Sequence, residues 1–105
     1  MREDSFRNWL KSSGTMGSRP INDALSRCRR ISESFNINLD SEFLLDGGQR
    51  VLSLLEYTAE DAKANKAAPP ELHFNPGSNI KNGMASLKAA AKKYFEFCQS
   101  STLWQ

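Results

Sequence analysis

Side chains that could act as a nucleophile, a general base or a metal ligand are few in this sequence. Its one histidine is His73, and its two cysteines, Cys28 and Cys98, lie far apart without a CxxC spacing. Covalent catalysis or zinc ligation would require these three residues to converge. We expect instead that both thiols are buried on apolar helix faces and that His73 is a solvated loop side chain. The sequence therefore predicts no catalytic residue, no metal site and no cofactor.

The acidic residues and glycines also give no catalytic pattern. Glu60 and Asp61 are neighbours in a helical segment, so their side chains point to different sides. The segment 46–48, Asp-Gly-Gly, is too short for a calcium loop, and neither a GxxxxGKS/T nor a GxGxxG phosphate-binding motif is present. Enzyme activity is therefore not expected.

The basic residues form two clusters that suit phosphate binding. One is an arginine cluster in the second predicted helix, formed by Arg27, Arg29 and Arg30. The other is a lysine stripe on the last predicted helix, formed by Lys81, Lys88 and Lys92. On an ideal helix the three lysines of the stripe lie within roughly 40° of one another, and short polar residues at the start of that helix suit a phosphate or a base edge. Ordinary solvation, with an Arg29–Glu33 pair, is the alternative. The candidate DNA-binding residues are Arg19, Arg27, Arg30, Ser78, Asn79, Lys81, Asn82, Lys88 and Lys92.

Length and composition limit the organisation of the chain. With 105 residues it fits one domain, and a net charge of +2 is too small by itself to indicate nucleic-acid binding. We expect one helical domain over 1–105, with its core at about 4–99 and a tail at 100–105. No apolar run of about 18 residues occurs, so no membrane contact is expected. The cysteine usage favours a reduced, cytoplasmic location.

Apolar residues recur at helical spacing and predict an all-α fold, a single bundle of four to five helices. After a short first helix, the second begins near Pro20 and carries an apolar stripe from Ile21 to Phe35. A short helical turn capped by Asp40 and a helix from about Gln49 to Lys66 follow. The proline-rich stretch over 67–77 is expected to be an extended connection. The last predicted helix is long and is capped by Ser78.

Three segments give the chain a resemblance to a known family. In order they are FRNWL, RPINDALSRCRRI and NIKNGMASLKAAAKKYFEF. This order resembles the N-terminal core-binding domain of tyrosine recombinases and phage integrases, a SAM-like bundle of four to five helices. The chain also resembles helical modules that are fused to restriction-type nucleases.

The resemblance implies that the second and last helices face duplex DNA while a separate catalytic domain closes from the other side. The catalytic set of recombinases has no room in 105 residues, so strand cleavage is not implied. By position the resemblance places Thr15, Ser18 and Arg19 near the DNA backbone, Arg27 and Arg30 along the groove or phosphates, and Ser78, Asn79, Lys81, Asn82 and Lys88 on the last helix.

We therefore expect a non-catalytic helical module that holds duplex DNA mainly through phosphate contacts. Another protein or a catalytic domain is a further expected partner. The alternative is a small protein-interaction adaptor or inhibitor, of phage or host-defence type, that uses exposed aromatic side chains. Its candidates are Trp9, Trp104, Phe95 and Phe97, and Phe97 is expected to be exposed because it lies off the main apolar stripe. The other interpretation of these rings is a core wrapped by the first helix and the tail.

Overall fold

The computed structural model describes residues 1–12, 17–75 and 77–100. Over these ranges the chain is helical and contains no strand, which confirms the all-α prediction. The described helices are α1 (Glu3–Ser12), α2 (Ser18–Phe35), α3 (Leu39–Asp46), α4 (Gln49–Leu54), α5 (Ala59–Lys63) and α6 (Ile80–Ser100), with one 3₁₀ turn at Pro70–Leu72.

The core lies between the two longest helices, α2 and α6. The buried residues of α2 include Ile21, Leu25, Cys28 and Ile31, which recur at the steps of three and four expected for one helix face. α6 also packs against each of the other α-helices, so it is the central element of the bundle. Its buried face consists of Met84, Leu87, Ala90, Ala91, Tyr94, Phe95, Phe97 and Cys98.

Aromatic rings join α1 to this core. Phe6 is fully buried, and its ring centroid lies 5.0 Å from that of Tyr94 and 5.6 Å from that of Phe97. Trp9 is half-buried, with its ring centroid 5.9 Å from that of Phe97. The expectation that Phe97 is exposed is wrong: its exposed fraction is 5 %, because α1 covers the flank of α6 on which it lies.

Polar contacts attach the start of α3 to α6. Asn38, and not Asp40 as predicted, caps α3, because its Oδ1 accepts a hydrogen bond from the backbone N–H of Ser41 at 3.1 Å. Asp40 lies in the first turn and accepts a hydrogen bond from the Tyr94 hydroxyl. That hydroxyl in turn accepts one from the backbone N–H of Arg2 at 3.0 Å. Burial, together with the Asp40 carboxylate, raises the pKa of Tyr94, so the phenol remains a neutral donor.

The single helix predicted over Gln49–Lys66 is wrong, because two short helices occupy this stretch. α4 ends at Leu54, and α5 begins at Ala59 with Thr58 as its N-cap. The Thr58 hydroxyl accepts a hydrogen bond from the backbone N–H of Asp61 at 3.1 Å, and the Asp61 carboxylate accepts one from the backbone N–H of Thr58 at 2.9 Å. This capping box starts a new helix. The bond from Thr58 also lowers the pKa of Asp61.

The turn between α3 and α4 depends on two glycines. Gly47, with φ +72°, and Gly48, with φ +86°, both have the left-handed backbone that side chains disfavour. A Cβ at Gly48 would lie 2.4 to 2.6 Å from three atoms of the Phe95 ring, whereas a Cβ at Gly47 would meet nothing within 4 Å. Gly48 is therefore required both for its backbone conformation and for the space that it leaves.

Asn79, rather than the predicted Ser78, caps α6. Its Oδ1 accepts a hydrogen bond from the backbone N–H of Asn82 at 3.1 Å. None of the described helices is long and apolar enough to cross a membrane. The predicted turn residue Thr15 and the aromatic candidate Trp104 lie outside the described residues.

Candidate nucleic-acid interface

α2 begins without the groups that usually neutralise a helix N-terminus. Its N-cap, Gly17, provides no side-chain hydrogen bond, and its first turn holds no acid. Arg19, which is exposed, adds a positive charge where the helix dipole already favours an anion. By contrast, α1, α3 and α5 all carry acidic residues in their first turns. The start of α2 can therefore attract an external anion.

Three predicted site residues converge at the start of α6. Ser78, Asn79 and Lys81 line a groove of about 200 Å³ together with Tyr57 and Asn65. Lys81 is exposed, and the first turn of α6 holds no acid. Tyr57 and Asn65 were not predicted as site residues, because the spacing of apolar residues predicted one continuous helix over this stretch. The break between α4 and α5 places both residues beside the start of α6.

A second groove, of about 360 Å³, separates α2 from α6. Arg27 of α2 and Lys93 of α6 line it from their two helices, and Asp23 contributes an acid. Lys93 forms an ion pair with Glu96 at 3.5 Å. Arg27 is exposed and forms no ion pair within residues 1–12, 17–75 and 77–100. Arg27 therefore supplies the positive charge of this groove that is not paired within the described residues.

The third groove, between α4 and α6, is larger, at about 520 Å³. Gln49, Ser53 and Glu56 line it from the side of α4, and Lys88 and Lys92 line it from α6. Lys88 forms an ion pair with Glu56. Lys92 is exposed, and no acid of the described chain pairs with it. This groove thus contains one engaged lysine and one available lysine.

The two larger grooves lie on either side of the exposed ridge of α6. At about 100° per residue, Lys93 lies a quarter-turn round the helix from Lys92, which agrees with their positions in different grooves. Lys81, Lys88 and Lys92 follow one line along α6, on the side of the α4/α6 groove. Arg27 lies in the other groove, between α2 and α6, so the structure does not bring it onto this line. Asn82 also lies on the exposed part of α6.

Arg30 is exposed, but its guanidinium is engaged with the proline-rich segment. Its Nη2 donates a hydrogen bond to the carbonyl of Leu72 at 2.7 Å, and its guanidinium lies 4.8 Å from the centroid of the Phe74 ring. Phe74 packs against Gly83 of α6, where a Cβ would lie 2.5 Å from the ring. Arg30 therefore fixes this segment to α2, and Phe74 fixes it to α6.

Arg29 is also engaged within the fold. Its Nε lies 2.7 Å from a carboxylate oxygen of Glu3, so the pair joins α2 to α1. The pair expected with Glu33, one turn along α2, is not formed. Of the three clustered arginines, Arg27 is the one that remains available to a ligand.

The cysteines and the histidine form no shared reactive site. The Cys28 thiol donates a hydrogen bond to the carbonyl of Ala90 at 3.5 Å, and burial raises its pKa to about 12. Burial, with a contribution from Asp40, raises the pKa of Cys98 to about 11. Both thiols are therefore protonated at neutral pH and unreactive. His73 is exposed, and the described residues contain no group of three His, Cys, Asp or Glu side chains that could hold a metal ion.

Among residues 1–12, 17–75 and 77–100, the exposed large apolar side chains are leucines and not the predicted aromatics. Leu44 and Leu45, at the end of α3, are 66 % and 78 % exposed. Phe95 and Phe97 are both buried, at 6 % and 5 % exposed. Any apolar docking surface on the described part of the chain would therefore be centred on α3 and not on α6.

The resemblance to the core-binding domain of integrases stays a prediction. Comparisons with family models, with curated proteins and with solved structures found no match to this chain.

Proposed function

We propose that this protein is a non-catalytic helical module that binds duplex DNA mainly through its phosphates. The observation that carries the proposal is the set of available cations on α2 and α6. Each is exposed, and none forms an ion pair within the described chain. These cations are Arg19, Arg27, Lys81 and Lys92.

The starts of the two long helices support this proposal. A cation in the first turn opposes the helix dipole, so an arginine or lysine there is unfavourable unless an anion is nearby. α4 also lacks an acid in its first turn, but there Arg50 pairs with Glu42 at 2.9 Å. Arg19 of α2 and Lys81 of α6 have no such partner among the described residues, and an external phosphate would supply one.

The spacing of the lysines also suits a regular polyanion. Lys81 and Lys92 are eleven positions apart on α6, which corresponds to about 16 Å along the helix axis. That length equals roughly five base-pair steps of duplex DNA at about 3.4 Å each. The stripe can therefore contact several phosphates of one strand, and such contacts fix position without reading sequence.

A fluorescence anisotropy titration with duplex DNA over a series of salt concentrations tests the proposal. We expect Kd to rise steeply with salt, since each neutralised phosphate contributes about −0.9 to the slope of the log association constant against the log salt concentration. Lys92→Gln should weaken binding about three- to tenfold at low salt and reduce the slope by about one contact.

Lys11→Gln is the matched control for Lys92→Gln. Lys11 is an exposed lysine in the last turn of α1 that lines none of the three grooves described above, and its replacement removes the same charge. The proposal fails if affinity does not respond to salt, or if the two variants lose the same affinity.

The adaptor alternative rests on a different observation, the exposed Leu44 and Leu45 of α3. Neighbouring exposed leucines are typical of protein-binding surfaces. A double Leu44→Ser, Leu45→Ser variant should bind DNA as the unmodified protein does, because α3 carries none of the available cations. If the unmodified protein does not bind DNA, the adaptor function replaces the proposal.

A further inference from the structure

The α4/α6 groove contains an unpaired lysine, Lys92, beside a lysine that is paired with an acid, Lys88 with Glu56. Glu56 was not among the predicted site residues. We infer that this groove binds the phosphodiester backbone of one DNA strand, and that Glu56 competes with that strand for Lys88. The inference rests on the proposed function and adds to it a subsite and an internal competitor.

The composition of the groove matches a phosphodiester. Lys92 provides an available positive charge, while the side chains of Gln49 and Ser53 provide uncharged hydrogen-bond donors on the opposite side. Phosphate contacts in protein–DNA complexes come from these residue types, with lysine supplying charge and the amide and hydroxyl groups supplying orientation. The volume of about 520 Å³ leaves room for a backbone segment between α4 and α6.

Glu56 occupies the position that a phosphate would take beside Lys88. Its backbone N–H donates to the carbonyl of Ser53 at 3.2 Å, so the last turn of α4 holds this residue at the edge of the groove. Its carboxylate pairs with Lys88, which otherwise belongs to the line of lysines on α6. The carboxylate thus supplies one negative charge where the strand would supply another.

The ion pair is placed so that a strand can displace it. The Lys88 side chain is 28 % exposed and the Glu56 side chain is 53 % exposed, so both are in contact with solvent. Exposed pairs between lysine and glutamate are weak and are screened by salt. A DNA strand brings several phosphates to the groove at once, and Lys92 attracts it to within reach of Lys88. Glu56 therefore lowers the affinity of the groove without closing it.

A double-mutant cycle on Glu56 and Lys88 tests the inference, with the same duplex DNA and anisotropy measurement. We expect Glu56→Gln to bind about three- to tenfold more tightly than the unmodified protein at low salt, because it frees one lysine for a phosphate. The gain should disappear in the Lys88→Gln background, since no lysine is then released. Glu56→Asp, which keeps the charge but shortens the side chain, should give a smaller gain.

Glu33→Gln is the control for the general effect of removing a negative charge. Glu33 is exposed on α2 and lines a different groove, with Arg29 and Ile37. The inference is overturned if Glu56→Gln gains no more affinity than Glu33→Gln, or if its gain persists with Lys88→Gln. These outcomes leave the proposed function standing, whereas absence of binding by the unmodified protein removes the proposed function itself. Circular dichroism of each variant confirms that the compared proteins are folded.

Discussion

The two glycines between α3 and α4 allow backbone strain to be separated from steric overlap. Gly47 and Gly48 both have positive φ, so alanine at either position should cost about 1–2 kcal/mol in backbone strain. At Gly48 the new methyl group would also lie 2.4 Å from the Phe95 ring, which is itself buried and cannot move freely. Overpacking of this kind costs about 1–3 kcal/mol. We therefore expect a loss of about 2–5 kcal/mol for Gly48→Ala and about 1–2 kcal/mol for Gly47→Ala.

Urea unfolding followed by far-UV circular dichroism measures both free energies of unfolding. The slope of free energy against urea should be alike in the two variants, because the surface exposed on unfolding is the same. In a thermal scan the extra cost at Gly48 corresponds to a difference of at least about 4 °C for a domain of this size. Equal losses at the two positions would show that the Phe95 ring does not limit Gly48, and the close approach described between Gly48 and Phe95 would then be wrong.

Two further predictions concern side chains that serve the fold. Arg30→Gln removes the charged hydrogen bond to the 3₁₀ turn and the contact with the Phe74 ring, so it should lower the free energy of unfolding by about 1–3 kcal/mol; a loss of DNA affinity with unchanged stability would instead place this arginine on the DNA. Both cysteine thiols have raised pKa values in the folded protein, mainly through burial, so their contribution to the free energy of unfolding should be constant below about pH 9 and should be lost as pH rises towards 11 to 12. A native-state thiol titration should accordingly be slow at neutral pH, and rapid labelling would contradict this burial.

The parts of the fold that could be predicted from the sequence are the long helices. The apolar stripe of α2 recurs at three and four residues, and the end of this helix at Asn36 follows from the left-handed conformation that asparagine tolerates. The break between α4 and α5 was missed, although Thr58 and Asp61 have the spacing of a capping box. A continuous apolar pattern on both sides of this motif favoured one helix, and local capping decided the outcome.

The engagement of individual cations could not be predicted from helical spacing. Spacing showed that Arg30 and Lys88 lie on exposed faces, but their partners come from distant parts of the chain. Leu72 lies 42 positions from Arg30, and Glu56 lies 32 positions from Lys88. Only the three-dimensional arrangement brings these partners together. Helical spacing treats the six basic candidates as equivalent, whereas the structure distinguishes available cations from engaged ones.

α6 contacts each of α1 to α5, and this central position restricts how the sequence can change in evolution. The intervals between its lysines are set by the rise of a single rigid helix and do not depend on any loop. Insertions in the connections among α3, α4 and α5 would therefore leave those intervals unaltered. An insertion or deletion within α6 itself would shift its lysines and its buried aromatic residues together. The spacing of the lysines therefore cannot change without changing the packing of the core.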